Sequence, residues 1–559
     1  MTSSGEGDGD SPTGRAIVMV ALMLSMAVVS LEQTVVSTAM PSIIAQLRGL
    51  EIYPWVFSAY LLAATVTTPV YGKLADLLGR KRVLLFGLGL FALGSILSGL
   101  SRSMPELIAM RVLQGLGAGA VAPIVITLLG DLFTLEQRAR VQGWFSAVWG
   151  VSSLAGPALG GELTDRLSWR WVFFVTVPFG VVAAWILARH VHEKVERDEV
   201  RPIDWPGALL LTAGSTLLLL AVLNGDGRSW ARGARLMVGA VVLLVLFIRR
   251  ERRAADPILP IDLVVAPHIA AALAGSFLIG VLLFALDTYI PLFVQGVRGG
   301  SATQAGRMIT PLFLMWSISV AIAAVVVVRF GFRRTAVVGS ILIASGLSEL
   351  ALGASRPERS GPLFLSGMVV IGLGFGPTSL SYILAVQHAV AWGRRGVATG
   401  AITFFRTMGG ALGVGVLGAS LGLALSHRLA ASRAAGIDIA AALRPETHAR
   451  LMPEQLHAVQ DALGRSLRDL FFQMFALAVL AILCSIGLPD GRAGGEPRPE
   501  PDQDLLDEDG TALTTALTDD RPGVTTSRSP GWSNIRSRSR GLRRESSTAA
   551  RKIGAGFIV

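Results

Sequence analysis

The chain is poor in charge and nearly devoid of cysteine. Of its 559 residues only 16% are Asp, Glu, Lys or Arg, against 52% hydrophobic, a balance too apolar for a soluble globular protein of this length. The single cysteine, Cys484, excludes an intrachain disulfide and a thiolate zinc site, and it reads as packing. No GxxxxGK(S/T) string occurs, which excludes a P-loop nucleotide site. His192-Glu193-Lys194-Val195-Glu196 begins like a zinc-protease helix but lacks the second histidine, so no metal site follows. The first residues carry Glu6, Asp8 and Asp10 in place of a cationic signal region, and the apolar segment after them is expected to stay attached as a membrane span. Net charge is +11, yet the basic residues sit in short clusters between apolar runs, where membrane positional bias accounts for them better than nucleic acid does.

What the sequence has in abundance is long apolar runs. A bilayer-spanning helix needs about 20 such residues. Runs lie at 16–40, 53–72, 83–100, 105–129, 141–163 and 169–189, then at 205–223 and 235–249, then at 268–293, 306–328, 334–353, 362–388, 397–424 and 466–488. This six, two, six layout predicts an all-α polytopic membrane protein of 14 spans. Residues 1–15 form an N-terminal tail, 16–190 a six-helix half, 204–250 two linking helices and 268–488 a second six-helix half with an outer loop at 425–465. The tail 489–559 is too polar to bury a core and is expected to be disordered. Lys and Arg are concentrated on the N-terminal side of the spans, as in Lys73, Arg80, Lys81 and Arg82 or Arg249, Arg250, Arg252 and Arg253. Both termini are therefore expected in the cytoplasm, with the protein in the cell membrane.

Several short strings within and between the runs are more specific than composition. Gly72-Lys73-Leu74-Ala75-Asp76-Leu77-Leu78-Gly79-Arg80-Lys81-Arg82 joins two glycines, suited to a tight turn, to an acid and a basic run able to latch helix ends. Arg111-Val112-Leu113-Gln114-Gly115 lies in the fourth run and Gly150 to Gly161, containing Gly156, Pro157 and Gly160, in the fifth. Leu31-Glu32-Gln33-Thr34 lies in the first, and Phe404-Phe405-Arg406-Thr407-Met408-Gly409-Gly410 in the thirteenth. Gly115 to Ala120 matches a dinucleotide-loop spacing, but no strand precedes it, and close helix packing explains it.

Over residues 15–488 this set resembles the major facilitator superfamily and, within it, the fourteen-helix drug:proton antiporter branch. The resemblance implies two pseudo-symmetric six-helix halves plus two extra transmembrane helices. It also implies a cytoplasmic gating loop of Gly72, Asp76, Gly79, Arg80 and Lys81, and an antiporter motif of Gly150, Gly156, Pro157, Gly160 and Gly161. Arg111 occupies the place of the arginine associated with proton coupling, and Glu32 stands where the branch's pattern usually has aspartate.

Elementary energetics leads to the same residues. Each ionisable group at membrane depth costs about 2.5–3.5 kcal/mol on insertion scales, so Glu32, Arg111, Asp287 and Arg406 each ask for a partner, a wet cavity or a function. Counted along their helices, Glu32 and Arg111 fall in the same outer half of the bilayer and can pair, and a proton on Glu32 would then release Arg111. Asp287 reads as a second proton carrier or as an acid reaching outer water, and Arg406 as a cavity residue or a cation closing a helix end. Gln33, Gln114, Trp149, Phe404, Phe405, Arg406 and Met408 are the candidate cavity lining, though each could equally face core or lipid.

The expected function is proton-coupled export of hydrophobic or cationic small molecules by alternating access, a multidrug efflux activity driven by the proton gradient. No cofactor, catalytic residue or metal is expected. The partners are a small-molecule substrate, protons and the lipid bilayer, without nucleic acid, and the working unit is a monomer. The alternatives are a carrier of a self-made antibiotic, amino acid, sugar or lipid, a polytopic membrane enzyme, or a receptor.

Overall fold

The computed structural model describes residues 12–50, 52–132, 135–191, 204–223, 230–254, 264–356, 360–390, 395–430 and 453–490. Helix α1 is Pro12–Leu47, α2 Pro54–Leu78, α3 Arg80–Leu100, α4 Met104–Leu132 and α5 Leu135–Arg166. A short α6 (Trp171–Phe174) leads into α7 (Thr176–His190), and α8 (Trp205–Leu223) and α9 (Trp230–Glu251) pack on each other. The remaining helices are α10 (Pro267–Leu292), α11 (Ala302–Phe330), α12 (Phe332–Ser355), α13 (Ser360–His388), α14 (Arg395–Ala430) and α15 (Pro453–Ile486). Among the described residues eleven helices are long and apolar enough to cross a membrane, and the shorter apolar helix Trp205–Ala221 adds to them. The chain is an all-α polytopic bundle.

Its polarity is that of a protein dissolved in lipid. Large apolar side chains such as Phe86, Trp185 and Val325 are more than half exposed, while Glu32 and Arg111 are sealed inside. Close backbone approach, more than a hydrophobic contrast with solvent, lets such helices associate.

Helix pairing among α1–α7 recurs among α10–α15. The packed pairs α1 with α5, α2 with α4, α3 with α4, α1 with α7 and α3 with α7 are matched by α10 with α14, α11 with α13, α12 with α13, α10 with α15 and α12 with α15. Across the two sets, α5 packs on α11 and α2 on α14, again a symmetric exchange, while α1 meets α10 near the middle. The turns repeat as well. Gly79 between α2 and α3 has φ +93°, and Gly331 between α11 and α12 has φ +87°, a conformation that a side chain would strain. Two residues later, a basic side chain closes the last helix of the same set. Lys81 Nζ donates to the Ala188 and Val191 carbonyls at 2.7 Å, and Arg333 Nε to the Leu488 carbonyl at 2.8 Å.

The structure refines the expected spans in two places. The run 169–189 is one span by length but breaks at Val175. Pro178 cannot donate to the carbonyl four residues back, and the Phe173 carbonyl accepts hydroxyls from Ser95 and Thr176 at 2.8 and 3.0 Å. The outer loop expected at 425–465 is shorter than that: α14 continues to Ala430 and α15 begins at Pro453. Arg428 forms an ion pair with Asp469 and donates to Ser466 at 2.8 Å, which holds the two helical extensions together. Residues 431–452 and the tail beyond 490 lie outside the described residues.

Candidate functional site

The first cluster of polar groups is buried where α1, α3, α4 and α7 meet. Glu32 Oε1 accepts from Arg111 Nη1 at 2.6 Å, and the two side chains are 0% and 1% exposed. The same guanidinium donates from Nε to the Val56 carbonyl at 3.1 Å and from Nη1 to Gln114 Oε1 at 2.6 Å. It also lies on the Tyr60 ring, 4.1 Å from its centroid. Gln114 Nε2 donates to Ser95 Oγ at 3.1 Å, Ser95 lies 3.2 Å from the Thr176 hydroxyl, and Thr176 closes the circuit on Glu32 Oε2 at 3.5 Å. A buried ion pair is tolerable only when hydrogen bonds satisfy its remaining polar atoms, and this network supplies them. Gly94 of α3 packs directly on the Gln114 backbone, which brings Ser95 within reach.

The second group is Asp287 on α10. It is 4% exposed, its Oδ1 has no hydrogen-bond partner among the described residues, and Ser37 of α1 stands beside it. It does not reach outer water. Arg406, on α14, is eleven residues past the helix start and makes no hydrogen bond or ion pair among the described residues, so it does not close a helix end.

The glycine-rich stretch of α5 forms close contacts with α1 of its own helix set and with α11 of the other. Gly156 faces the Thr34 hydroxyl and Gly160 the Thr38 hydroxyl and Val35 carbonyl, all on α1. Gly161 abuts the Thr303 backbone of α11, Pro157 offers its carbonyl to Gly306, and Gly150 lies opposite the Ser317 hydroxyl. At the end of α5 the Asp165 carboxylate accepts the Ala302 and Thr303 amides at 3.1 and 2.8 Å, capping the first turn of α11. Gln295 Nε2 adds a bond to the Thr38 carbonyl at 2.9 Å. These contacts tie the two helix sets together at the end of the bundle away from Gly79.

Gly72, inside α2, has open space around its Cα, Gly79 between α2 and α3 takes the positive φ, and Arg80 and Lys81 begin α3. The Asp76 and Trp149 side chains lie outside the described residues. Of the candidate cavity lining, Gln33 is half-buried beside Tyr60, and Phe404 and Phe405 are half-buried and edge-on at 5.8 Å. Gln114 and Met408 are buried, and Gln114 belongs to the ion-pair network instead of an open wall. Sequence reasoning passed over Ser95, Thr176, Tyr60, Ser37, Asp165 and Gln295. Asp165 closing a helical run four residues before a Trp-Arg-Trp string was the one available signal.

Comparison with known proteins agrees with this architecture. The family model described as Major Facilitator Superfamily matches residues 22–414. The chain is 35% identical over 409 residues to a protein named multidrug transporter protein MdtP of Bacillus subtilis, covering 72% of this chain and 75% of that relative. It is 34% identical over 517 residues to an uncharacterized MFS-type transporter of Mycobacterium tuberculosis, covering 89% and 74%. Among solved structures, a bacterial homolog of the human lysosomal transporter Spinster superposes with TM-score 0.58 at 14% identity over 85% of this chain and 97% of that one. A D-xylose-proton symporter gives 0.57 at 13% identity over 85% and 98%. At such identities the likeness is one of fold.

Proposed function

This chain belongs to the major facilitator superfamily, and from that membership we propose that it is a proton-coupled antiporter exporting hydrophobic or cationic small molecules. As a member it is a multi-pass membrane transporter of small molecules, not an enzyme. The observation that carries the proposal is the buried Glu32–Arg111 pair, with Asp287 uncompensated across the contact of α1 and α10.

A proton arriving on Glu32 removes the charge that Arg111 answers. The guanidinium then keeps the Val56 carbonyl, the Gln114 amide oxygen and the Tyr60 and Phe173 rings. Because Thr176 and Gln114 connect this pair to α7 and α3, the change bears on the packing of α1 against α4 and α7. Ser37, one and a half turns beyond Glu32, connects α1 to Asp287. Protonation and substrate binding then favour different openings of the bundle, which is the linkage an exchanger requires. One proton moving down about 100 mV and one pH unit releases roughly 3.7 kcal/mol, enough for a several-hundred-fold gradient of a neutral solute.

The same proposal extends to topology. Fourteen spans, two six-helix halves at 16–190 and 268–488, a linking pair at 204–250 and cytoplasmic termini accord with the repeated helix pairing and the basic turns. Gly72, Asp76, Gly79, Arg80 and Lys81 would gate the cytoplasmic end, and Gly150, Gly156, Pro157, Gly160 and Gly161 the opposite end. The multidrug name of the Bacillus subtilis relative supports the choice of substrate class.

The test is transport in proteoliposomes with an imposed pH gradient and a panel of lipophilic dyes. Dye movement coupled to opposite proton movement is expected, and Glu32→Gln should abolish the coupling. Dye transport that leaves internal pH unchanged in the wild type overturns the exchange reading.

A further inference from the structure

The charges inside the bundle do not cancel equally in its two halves. Glu32 and Arg111 neutralise each other at 2.6 Å and are sealed, so neither offers its charge to a solute. Arg406 is left over. It shares a face of α14 with Gly409, Gly410 and Gly413, three, four and seven residues on. That face is pressed on α10: Gly409 meets the Phe277 backbone, Gly410 the Phe284 ring and Gly413 the Val281 side chain, while Gly280 of α10 meets the Arg406 carbonyl. The position therefore lies on the interior side of the helix and not on its lipid side.

Arg406 is half-buried, and Thr403, one turn earlier on the same face, is exposed. A half-buried residue beside an exposed one on the interior side of a helix borders open space. Eight residues into the apolar stretch Ala398–Ala430, the guanidinium stands about 12 Å along it, where an unanswered cation is costly. No acidic side chain compensates it among the described residues. Asp287 lies seven residues beyond Gly280, about 10 Å further along α10, and is nearly inaccessible. A solute entering this space thus meets a free cation with five donors in a planar fork, whose natural complement is a carboxylate.

We propose that Arg406 is the binding point for the anionic group of an amphiphilic substrate, a carboxylate whose apolar body lies along the α10 wall near Phe277. The assignment rests on the transport reading above for its biological meaning; within that reading's hydrophobic substrates it selects those that carry an anionic group, and it departs from the cationic ones.

The test is equilibrium binding to the purified full chain in phosphatidylcholine nanodiscs at pH 7.5, with 1-pyrenebutyrate and its uncharged analogue 1-pyrenebutanol as probes. The wild type is expected to bind the acid at least ten-fold more tightly than the alcohol. R406Q should erase that preference and leave alcohol binding unchanged, and R406K should keep part of it. Equal affinity for acid and alcohol in the wild type, or an undiminished preference in R406Q, overturns the proposal. A second measurement needs no variant: phenylglyoxal modification of Arg406, read by mass spectrometry, should be slowed by the acid and not by the alcohol. Absence of that protection also overturns it. If adding phosphatidylglycerol to the nanodiscs abolishes the acid preference, the site takes a lipid phosphate and the solute assignment falls. Binding is read without a gradient, so failure of proton exchange in vesicles and failure of this site are separate results.

Discussion

A double-mutant cycle on Glu32 and Arg111 tests the centre of the mechanism. Glu32→Gln keeps an acceptor for Arg111 but removes the charge, leaving a guanidinium 1% exposed with the Val56 carbonyl, Gln114 and the Tyr60 ring. Breaking a buried pair by removing one partner costs about 3–5 kcal/mol. The amide retains one hydrogen bond of the pair, which lowers the expected loss to about 2–4 kcal/mol. Arg111→Gln, which strands the Glu32 carboxyl and frees the Gln114 oxygen, is expected to cost a similar amount, about 2–4 kcal/mol. Two amides placed together can bond to each other, so the double variant should lose less than the sum, with a coupling of about 1–3 kcal/mol. The assay is reversible unfolding in mixed dodecyl maltoside and SDS micelles, followed by tryptophan fluorescence. A coupling within about 0.5 kcal/mol of zero would refute the idea that the two charges answer each other in the native bundle.

Asp287→Asn removes a carboxyl with no ionic partner, so stability should change by less than about 1 kcal/mol while acid-driven exchange in vesicles declines; unaltered exchange would remove Asp287 from the coupling. Asp165→Ala strips the cap from two amides at the start of α11 and is expected to lower stability by about 1–2 kcal/mol, with Asp165→Asn losing less, as read from the same unfolding curves. Gly160→Leu would drive a side chain into the Thr38 hydroxyl and Val35 carbonyl, costing about 1–3 kcal/mol, and a wild-type unfolding midpoint would contradict the packing of α5 on α1.

Much of the bundle was legible beforehand. The bilayer sets a length, so apolar runs of that length announce spans even where nothing else about them is known. Charges at membrane depth are rare enough that Glu32, Arg111, Asp287 and Arg406 stood out at once, and counting rise per residue placed the first two at one level. The hydroxyls that complete their network were not legible. Ser95 and Thr176 sit in apolar runs where they resemble filler, and only the packing of α7 against α1 and α3 brings Thr176 to Glu32 and Ser95. Asp165 acts on an amide 137 positions away, a distance at which spacing carries no message.

By itself the sequence determined the solvent, the number of long apolar runs, the basic turns between them and the depth of each buried charge. All of these are one-dimensional properties, set by hydropathy and by rise along a helix. Which charges cancel was decided by tertiary structure alone. A helix that is apolar on every side has no polar face to reveal its rotation, so the sequence did not disclose that Arg111 turns toward Glu32 while Arg406 turns toward α10 with no ionic partner among the described residues.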